Sequence, residues 1–346
     1  MRRIDQEEAK SLPAWKKGLV ISLAFSIAAA LFVFFAHFEE DTLTNLLQLR
    51  AEFLLLALIA VFFLGIIEGF RIKLLAASLG HGQRISLADG VRVFLATFFF
   101  AAVTPFAAGE WPAHIVALHR SGLSLGEASA VTITRAFLTK LIFTMAAFIF
   151  LLFYREQSLP AYLYKIFLYA IFISFFMSLI FFFLLWRPVY LESLLHKIDS
   201  ISWLASLLAK SNRGQRAVFF LKNEVKKFSF TAGGLNRRKA GILIVIIFLT
   251  IIYWICFFSI APILLLGLNT TVPFFKSFTW QFVIQIVLPY IPIPGGSGVV
   301  ELSLAGLFKY FVPSSVLGLF IIAWRFFTYY ILLFFGGLAA LGYLKL

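Results

Sequence analysis

The chain has 346 residues, 62% apolar and only 13% charged, with a mean hydropathy of +0.96. A soluble domain is about half apolar and a quarter charged, so composition excludes a water-soluble globule and indicates an integral membrane protein. A single Cys excludes a disulfide scaffold and a thiolate metal site; the formal charge of +14 does not read as nucleic-acid binding, because the basic residues cluster between apolar runs, where they set orientation.

A membrane span needs about 20 mostly apolar residues, which places helices near 18-37, 53-76, 128-153, 163-186, 240-266 and 315-344. The first reads as a retained helix: its apolar run is long, and Glu39, Glu40 and Asp41 follow without a small-residue cleavage site. Arg2, Arg3, Lys10, Lys16 and Lys17 put the N-terminal tail in the cytoplasm, and the acids of 38-52 put that segment outside. Segment 71-92, with Arg71, Lys73, Arg84 and Arg92, returns inside. Segment 93-121 must then begin and end on the cytoplasmic face, which predicts a re-entrant hairpin with its tip at Thr104-Pro105 through Trp111-Pro112, where Pro and Gly interrupt the helix. After the linking helix 163-186, segment 187-239 carries eleven Lys/Arg against three acids. It is expected to be cytoplasmic, with amphipathic stretches such as Trp203-Leu208 and Ala217-Leu221 lying on an anionic lipid surface. The same count makes 277-312 a second hairpin, entering from outside, with its tip at Pro289 to Gly298. Both termini are then cytoplasmic.

The two halves keep landmarks at matching intervals. Gly80 precedes Gly109 by 29 residues and Gly267 precedes Gly296 by 29; Glu110 precedes Arg135 by 25 and Glu301 precedes Arg325 by 24. The predicted fold is an all-α polytopic helical bundle with two inverted repeats, 53-153 and 240-344, each containing a re-entrant broken hairpin. Paired interrupted segments in inverted halves point to a transport site near the midplane.

Charges inside the spans carry the candidate chemistry. Placing Arg or Glu in hydrocarbon costs roughly 2.5–3.5 kcal/mol even on lenient scales, so Arg135 and Arg325 are expected at a shared polar centre with Glu110 and Glu301; spacing leaves open which acid meets which base. Gly295, Gly296, Ser297 and Gly298 before a helix start read either as an anion cradle or as a tight apex packed on another helix. Glu301 reads either as a first-turn carboxylate bonding free N-H groups or as the counter-ion or proton carrier beside an arginine that binds phosphate. Glu68 and Arg71, three apart, read as structural neutralisation on one helix face, as does Lys140. Gln281 and Gln285 read as a polar path or as hydrogen bonds to a neighbouring helix. His114 and His119 lie five apart, off the spacing that shares a helical face, so no metal is expected; nor is any catalytic residue or cofactor.

Thr104-Pro105 through Gly109-Glu110, Arg135 after the Leu-Gly-Glu-Ala run at 125-128, and above all Pro294-Gly295-Gly296-Ser297-Gly298-Val299-Val300-Glu301 with Arg325 resemble the membrane region of the lysylphosphatidylglycerol synthase/flippase family, over about residues 15 to 344. The first tip departs from the pattern, with Phe106-Ala107-Ala108 where the family tends to carry a polar or basic residue before Gly-Glu. The resemblance implies a lipid-translocating domain of prokaryotic cytoplasmic membranes, whose ligand is an anionic phospholipid, an aminoacylated lipid or a lipid-linked phosphate. Two-part members add a soluble aminoacyl-transferase domain. This sequence stops after its last helix, so the expectation is a translocase without synthase chemistry, with a separate lipid-modifying enzyme as a partner. The rival readings are a membrane-embedded lipid or glycosyl transferase, against which the lack of an Asp cluster argues, and a non-transporting scaffold acting through the basic loop.

Overall fold

A computed structural model describes residues 14-79, 85-153, 161-188, 190, 212-234, 240-271 and 273-344. Arg2, Arg3, Lys10, Gly80, Arg84, the stretch Trp203-Leu208 and basic residues Lys197, Lys210, Arg237, Arg238 and Lys239 lie outside the described residues. Among those described there is no strand. The helices are α1 (Ala14–Ala36), α2 (Asp41–Leu47), α3 (Ala51–Ser78), α4 (Leu87–Ala102), α5 (Glu110–Arg120), α6 (Leu125–Phe153), α7 (Ala161–Trp186), α8 (Asn212–Gly234), α9 (Ala240–Gly267), α10 (Phe274–Val287), α11 (Val299–Phe308), α12 (Ser314–Arg325) and α13 (Ile331–Leu344).

Among the described residues, six stretches are long and apolar enough to cross a membrane: Trp15–Ala36, Ala51–Ser78, Leu125–Leu152, Tyr164–Trp186, Gly241–Gly267 and Ser314–Tyr343. The all-helical build follows from solvent: in hydrocarbon every backbone N-H and C=O must be satisfied within its own segment. The chain is a multi-pass membrane protein. Segment 38-52 holds the short helix α2. The last span is not one regular helix, because a π turn at Phe326–Tyr330 separates α12 from α13. Such turns widen a helix by one residue and cluster at functional sites. The apolar runs 93-121 and 277-312 are each two short helices around a break, α4 and α5 in the first and α10 and α11 in the second.

The chain forms two compact units. Unit 1 comprises Met1–Phe63, Leu95–Pro112 and Cys256–Leu346; unit 2 comprises Leu64–Phe94 and Ala113–Ile255. In unit 1 the last span is the pillar, with 72% of its most apolar window buried against 22% for the α1 span. Glycine sets the close crossings there. A Cβ on Gly318 would lie 2.7 Å from Phe34 Cα, and one on Gly336 would lie 2.6 Å from the Leu95 carbonyl oxygen, so α1 and α4 approach this span backbone to backbone. Pro262, inside α9, cannot donate to the carbonyl four residues back. The Phe258 carbonyl accepts from Gln281 Nε2 at 2.8 Å, while Trp324 Nε1 donates to Gln281 Oε1 at 3.1 Å. Gln281 thus repairs a proline defect and bonds a neighbouring helix.

Unit 2 is built on α6, with α7 and α8 packed along it. Gly126 admits α8 so closely that a Cβ there would lie 2.9 Å from the Phe228 nitrogen. Its N-H, free at the start of α6, donates to Glu224 of α8 at 2.7 Å, and Lys227 bonds the same carboxylate at 2.7 Å. Burial raises the Glu224 pKa, but the Lys227 and Gly126 hydrogen bonds outweigh it and hold the carboxyl below its ordinary value.

Candidate functional site

The two tips meet within unit 1. Each turns through a proline followed by two left-handed residues: Thr104 (φ −120°, ψ 142°), Pro105, Phe106 (φ 56°, ψ 18°) and Ala107 (φ 52°) in the first; Ile293 (φ −114°, ψ 132°), Pro294, Gly295 (φ 62°, ψ 10°) and Gly296 (φ 60°) in the second. The Phe106 N-H donates to the Ile291 carbonyl at 3.2 Å. Glycine takes this conformation without strain, whereas Phe106 and Ala107 are each disfavoured there by about 1–2 kcal/mol. In this register Gly109 matches Gly298 and Glu110 matches Val299. The position equivalent to Glu301 in the first tip is Pro112. The landmark acids thus precede their arginines by nearly the same interval, 25 and 24 residues, but are not equivalent in the turns.

Different groups lock the two apices. At the first, the Gly109 N-H donates to Thr104 Oγ1 at 2.8 Å, and that hydroxyl donates to the Phe100 carbonyl at 2.7 Å. At the second, the Gly298 N-H donates to Glu301 Oε2 at 2.8 Å, while the N-H groups of Gly296 and Ser297 bond the carbonyls of Ile293 and Pro294 at 2.9 and 3.2 Å. Three donors of the candidate cradle are thus engaged inside the turn. Of the two readings of Gly295 to Gly298, the geometry is that of a tight apex. The Tyr329 ring covers Gly295 so closely that a Cβ would lie 2.8 Å from two ring carbons.

Glu301, fully buried in the first turn of α11, meets Arg325, 3% exposed at the end of α12. The guanidinium Nε donates to Glu301 Oε1 at 2.7 Å and Nη2 donates to Oε2 at 3.0 Å, the two-pronged geometry that makes such pairs strong. Ser26 adds a bond to Oε1 at 2.5 Å. With the Gly298 N-H, the carboxylate accepts four hydrogen bonds, about its full capacity: Glu301 both caps the helix and pairs with Arg325. The guanidinium carbon stacks 4.6 Å from the Tyr329 ring centre, and Nη2 reaches the Gly295 carbonyl at 3.5 Å.

A hydroxyl chain surrounds this pair. Ser26 gives its proton to Glu301, so Tyr330, 2.8 Å away, donates to Ser26. Tyr329 donates to the Ala102 carbonyl at 3.4 Å, so Ser22 donates to Tyr329, and Ser297, 3.4 Å from Ser22, donates in turn. Ser22 and Ser26 were missed in the sequence, although their i, i+4 spacing on an apolar helix places both hydroxyls on one face. Beside the pair lies a cavity of about 130 Å³, walled by Arg325, Thr328, Tyr329 and Gln285 together with Gly295 and Gly296. A water occupies about 30 Å³ of liquid, so the space suits a few waters or one small anionic group.

Unit 2 holds a second ionic centre. Glu68, 1% exposed, bonds Arg71 on the same helix through Oε2, and its Oε1 accepts from Arg135 Nε at 2.5 Å. Arg71 Nη2 also donates to Thr139 at 3.2 Å. The expected Glu68–Arg71 neutralisation is present, but it includes Arg135, one of the candidate substrate-binding residues. Glu110 is the first residue of α5. His114 is buried, with Nδ1 2.7 Å from Thr132 Oγ1; because Thr132 donates to the Ala128 carbonyl at 2.7 Å, His114 is the donor. Among the described residues no group of three His, Cys, Asp or Glu could hold a metal.

The family described as the lysylphosphatidylglycerol synthase TM region matches residues 19–336. A relative named UPF0104 membrane protein, from Archaeoglobus fulgidus, is 29% identical over 325 residues, covering 92% of this chain and 95% of its own length. No solved structure matches the chain.

Proposed function

The chain belongs to the family of the lysylphosphatidylglycerol synthase TM region, and from that premise we propose that it moves an anionic lipid between the leaflets of the cytoplasmic membrane, as a transporter and not an enzyme. The substrate class is a phospholipid, an aminoacylated lipid or a lipid-linked phosphate. The observation that carries this reading is the saturated Glu301–Arg325 pair beside a cavity where two broken hairpins meet. Buried ion pairs are weak devices for stability, and intramembrane charges mark transport paths.

In this reading a lipid phosphate enters the cavity and takes the Arg325 donors now held by Glu301. The carboxylate keeps Gly298 and Ser26 as partners and compensates Arg325 again once the lipid leaves. Gly295 and Gly296, which line the cavity, let the backbone of the tip come close to the head group. Arg135 plays the corresponding part in unit 2, with Glu68 as its counter-ion. The shared proline and left-handed pair of the two tips support the reading of two repeats, each with a broken hairpin. Arg216, Lys222 and Lys226, together with Phe219 and Phe230, which are 73% and 86% exposed, support contact of α8 with an anionic inner surface.

Leaflet exchange of fluorescent phosphatidylglycerol and polyprenyl phosphate in proteoliposomes tests the proposal. The native protein is expected to accelerate exchange of at least one over empty liposomes, and Arg325→Ala and Glu301→Gln to abolish the gain. Equal rates for native protein and empty liposomes, with and without an imposed proton gradient, would overturn it.

A further inference from the structure

A second, larger cavity in unit 1, a groove of about 530 Å³, is not used by the site above. Trp15, Leu19, Leu23 and Ile27, each one turn beyond the last, form one wall from α1; Gly337 and Leu341 of α13 lie in the opposite wall. Twelve residues at 1.5 Å each give a length of about 18 Å, close to the roughly 15 Å depth of one leaflet's hydrocarbon. Its apolar walls and its length suit a single hydrocarbon chain.

The two ends differ in chemistry. At one end Trp15 carries the Lys16 amine 5.5 Å above its ring, with Lys16 and Lys17 both exposed, the residue types that sit at a membrane-water interface. At the other end stands Tyr330, whose hydroxyl bonds Ser26. We propose that the groove holds one acyl chain of an anionic phospholipid from the adjacent leaflet, with its phosphate at Lys16 and Lys17. The two cations complement the phosphate, and the apolar walls exclude a head group from the groove itself. Gly337 supplies depth: a Cβ there would meet only Phe99, at an ordinary 3.4 Å, so a larger side chain fills the groove while the backbone is kept.

The test is native mass spectrometry of protein taken from vesicles containing equal phosphatidylglycerol and phosphatidylcholine with identical chains. The native protein is expected to retain one phosphatidylglycerol; Gly337→Leu is expected to lose it; Lys16→Gln with Lys17→Gln is expected to retain a lipid without head-group preference. Equal retention by Gly337→Leu and native protein, loss only with Arg325→Ala, or a dimer in place of the lipid adduct would overturn the proposal. Should Gly337→Leu fail to fold, bromine-labelled chains decide instead: quenching of native fluorescence must exceed that of Trp15→Phe, and equal quenching would sink the idea. Neither readout depends on translocation, so a protein that moves lipid yet retains none refutes this site alone.

Discussion

In unit 1 the acid comes from a helix start next to a glycine turn, and its carboxylate is shared among Arg325, Ser26 and the Gly298 N-H. In unit 2 the acid comes from mid-helix, and Glu68 bridges Arg71 on its own helix and Arg135 on α6. The first arrangement ties the ion pair to the shape of a turn, so losing the pair also frees a backbone donor. The second ties two helices together whatever the tips do. The tips carry the same contrast: glycines take the left-handed positions in one, and Phe106 and Ala107 take them in the other.

Breaking one partner of each centre gives the largest effect. Glu301→Gln and Glu68→Gln each leave a buried arginine without its carboxylate, expected to cost about 3–5 kcal/mol in detergent thermal unfolding. Glu301→Gln should also stop lipid exchange; retained exchange in a folded Glu68→Gln protein would confine transport to unit 1. Next come the tips. Gly295→Ala puts a methyl group against Tyr329 at a left-handed position and should cost roughly 1–3 kcal/mol. Phe106→Gly, at the matching position with its side chain 53% exposed, should instead gain up to about 1 kcal/mol, the relieved strain less the entropy of glycine. Same-sign shifts would break the equivalence of the two turns.

The smallest effect concerns α8. The folded pKa of Glu224 lies below its unfolded value, so its bonds stabilise the α6–α8 junction at pH above the ordinary carboxylate range and that contribution is lost as pH falls through the lowered pKa. The protection of the 216-230 amides, corrected for the intrinsic pH dependence of exchange, should therefore fall on acidification in native protein and show a weaker pH response in Glu224→Gln. An identical pH response in both would remove Glu224 from the junction.

The spans and the breaks were legible because hydrocarbon demands long apolar runs, and because Pro and Gly mark where a helix must stop. The Glu301–Arg325 pair was legible as a set of candidates, since charge in a membrane needs a partner. Its pairing was not, because intervals of 24 and 25 residues count chain length and say nothing of turn register: Glu110 and Glu301 keep the interval yet sit two positions apart in their turns. Glu68 could be paired with Arg71 from an i, i+3 spacing, but its bond to Arg135 joins residues 67 apart and has no local signal. The π turn after Arg325 was invisible for a similar reason, since Phe-Phe-Thr-Tyr-Tyr is as compatible with a regular apolar helix.

The most direct test of the central claim separates the ion pair's part in transport from its part in folding. Replacing both members at once, as Glu301→Gln with Arg325→Met, removes the charges without leaving either unpaired, a change often neutral for stability, and keeps a carbonyl oxygen at 301 for the Gly298 N-H. The account predicts a double variant that unfolds near the native temperature and exchanges anionic lipid no faster than empty liposomes. Exchange at the native rate in that variant would contradict it.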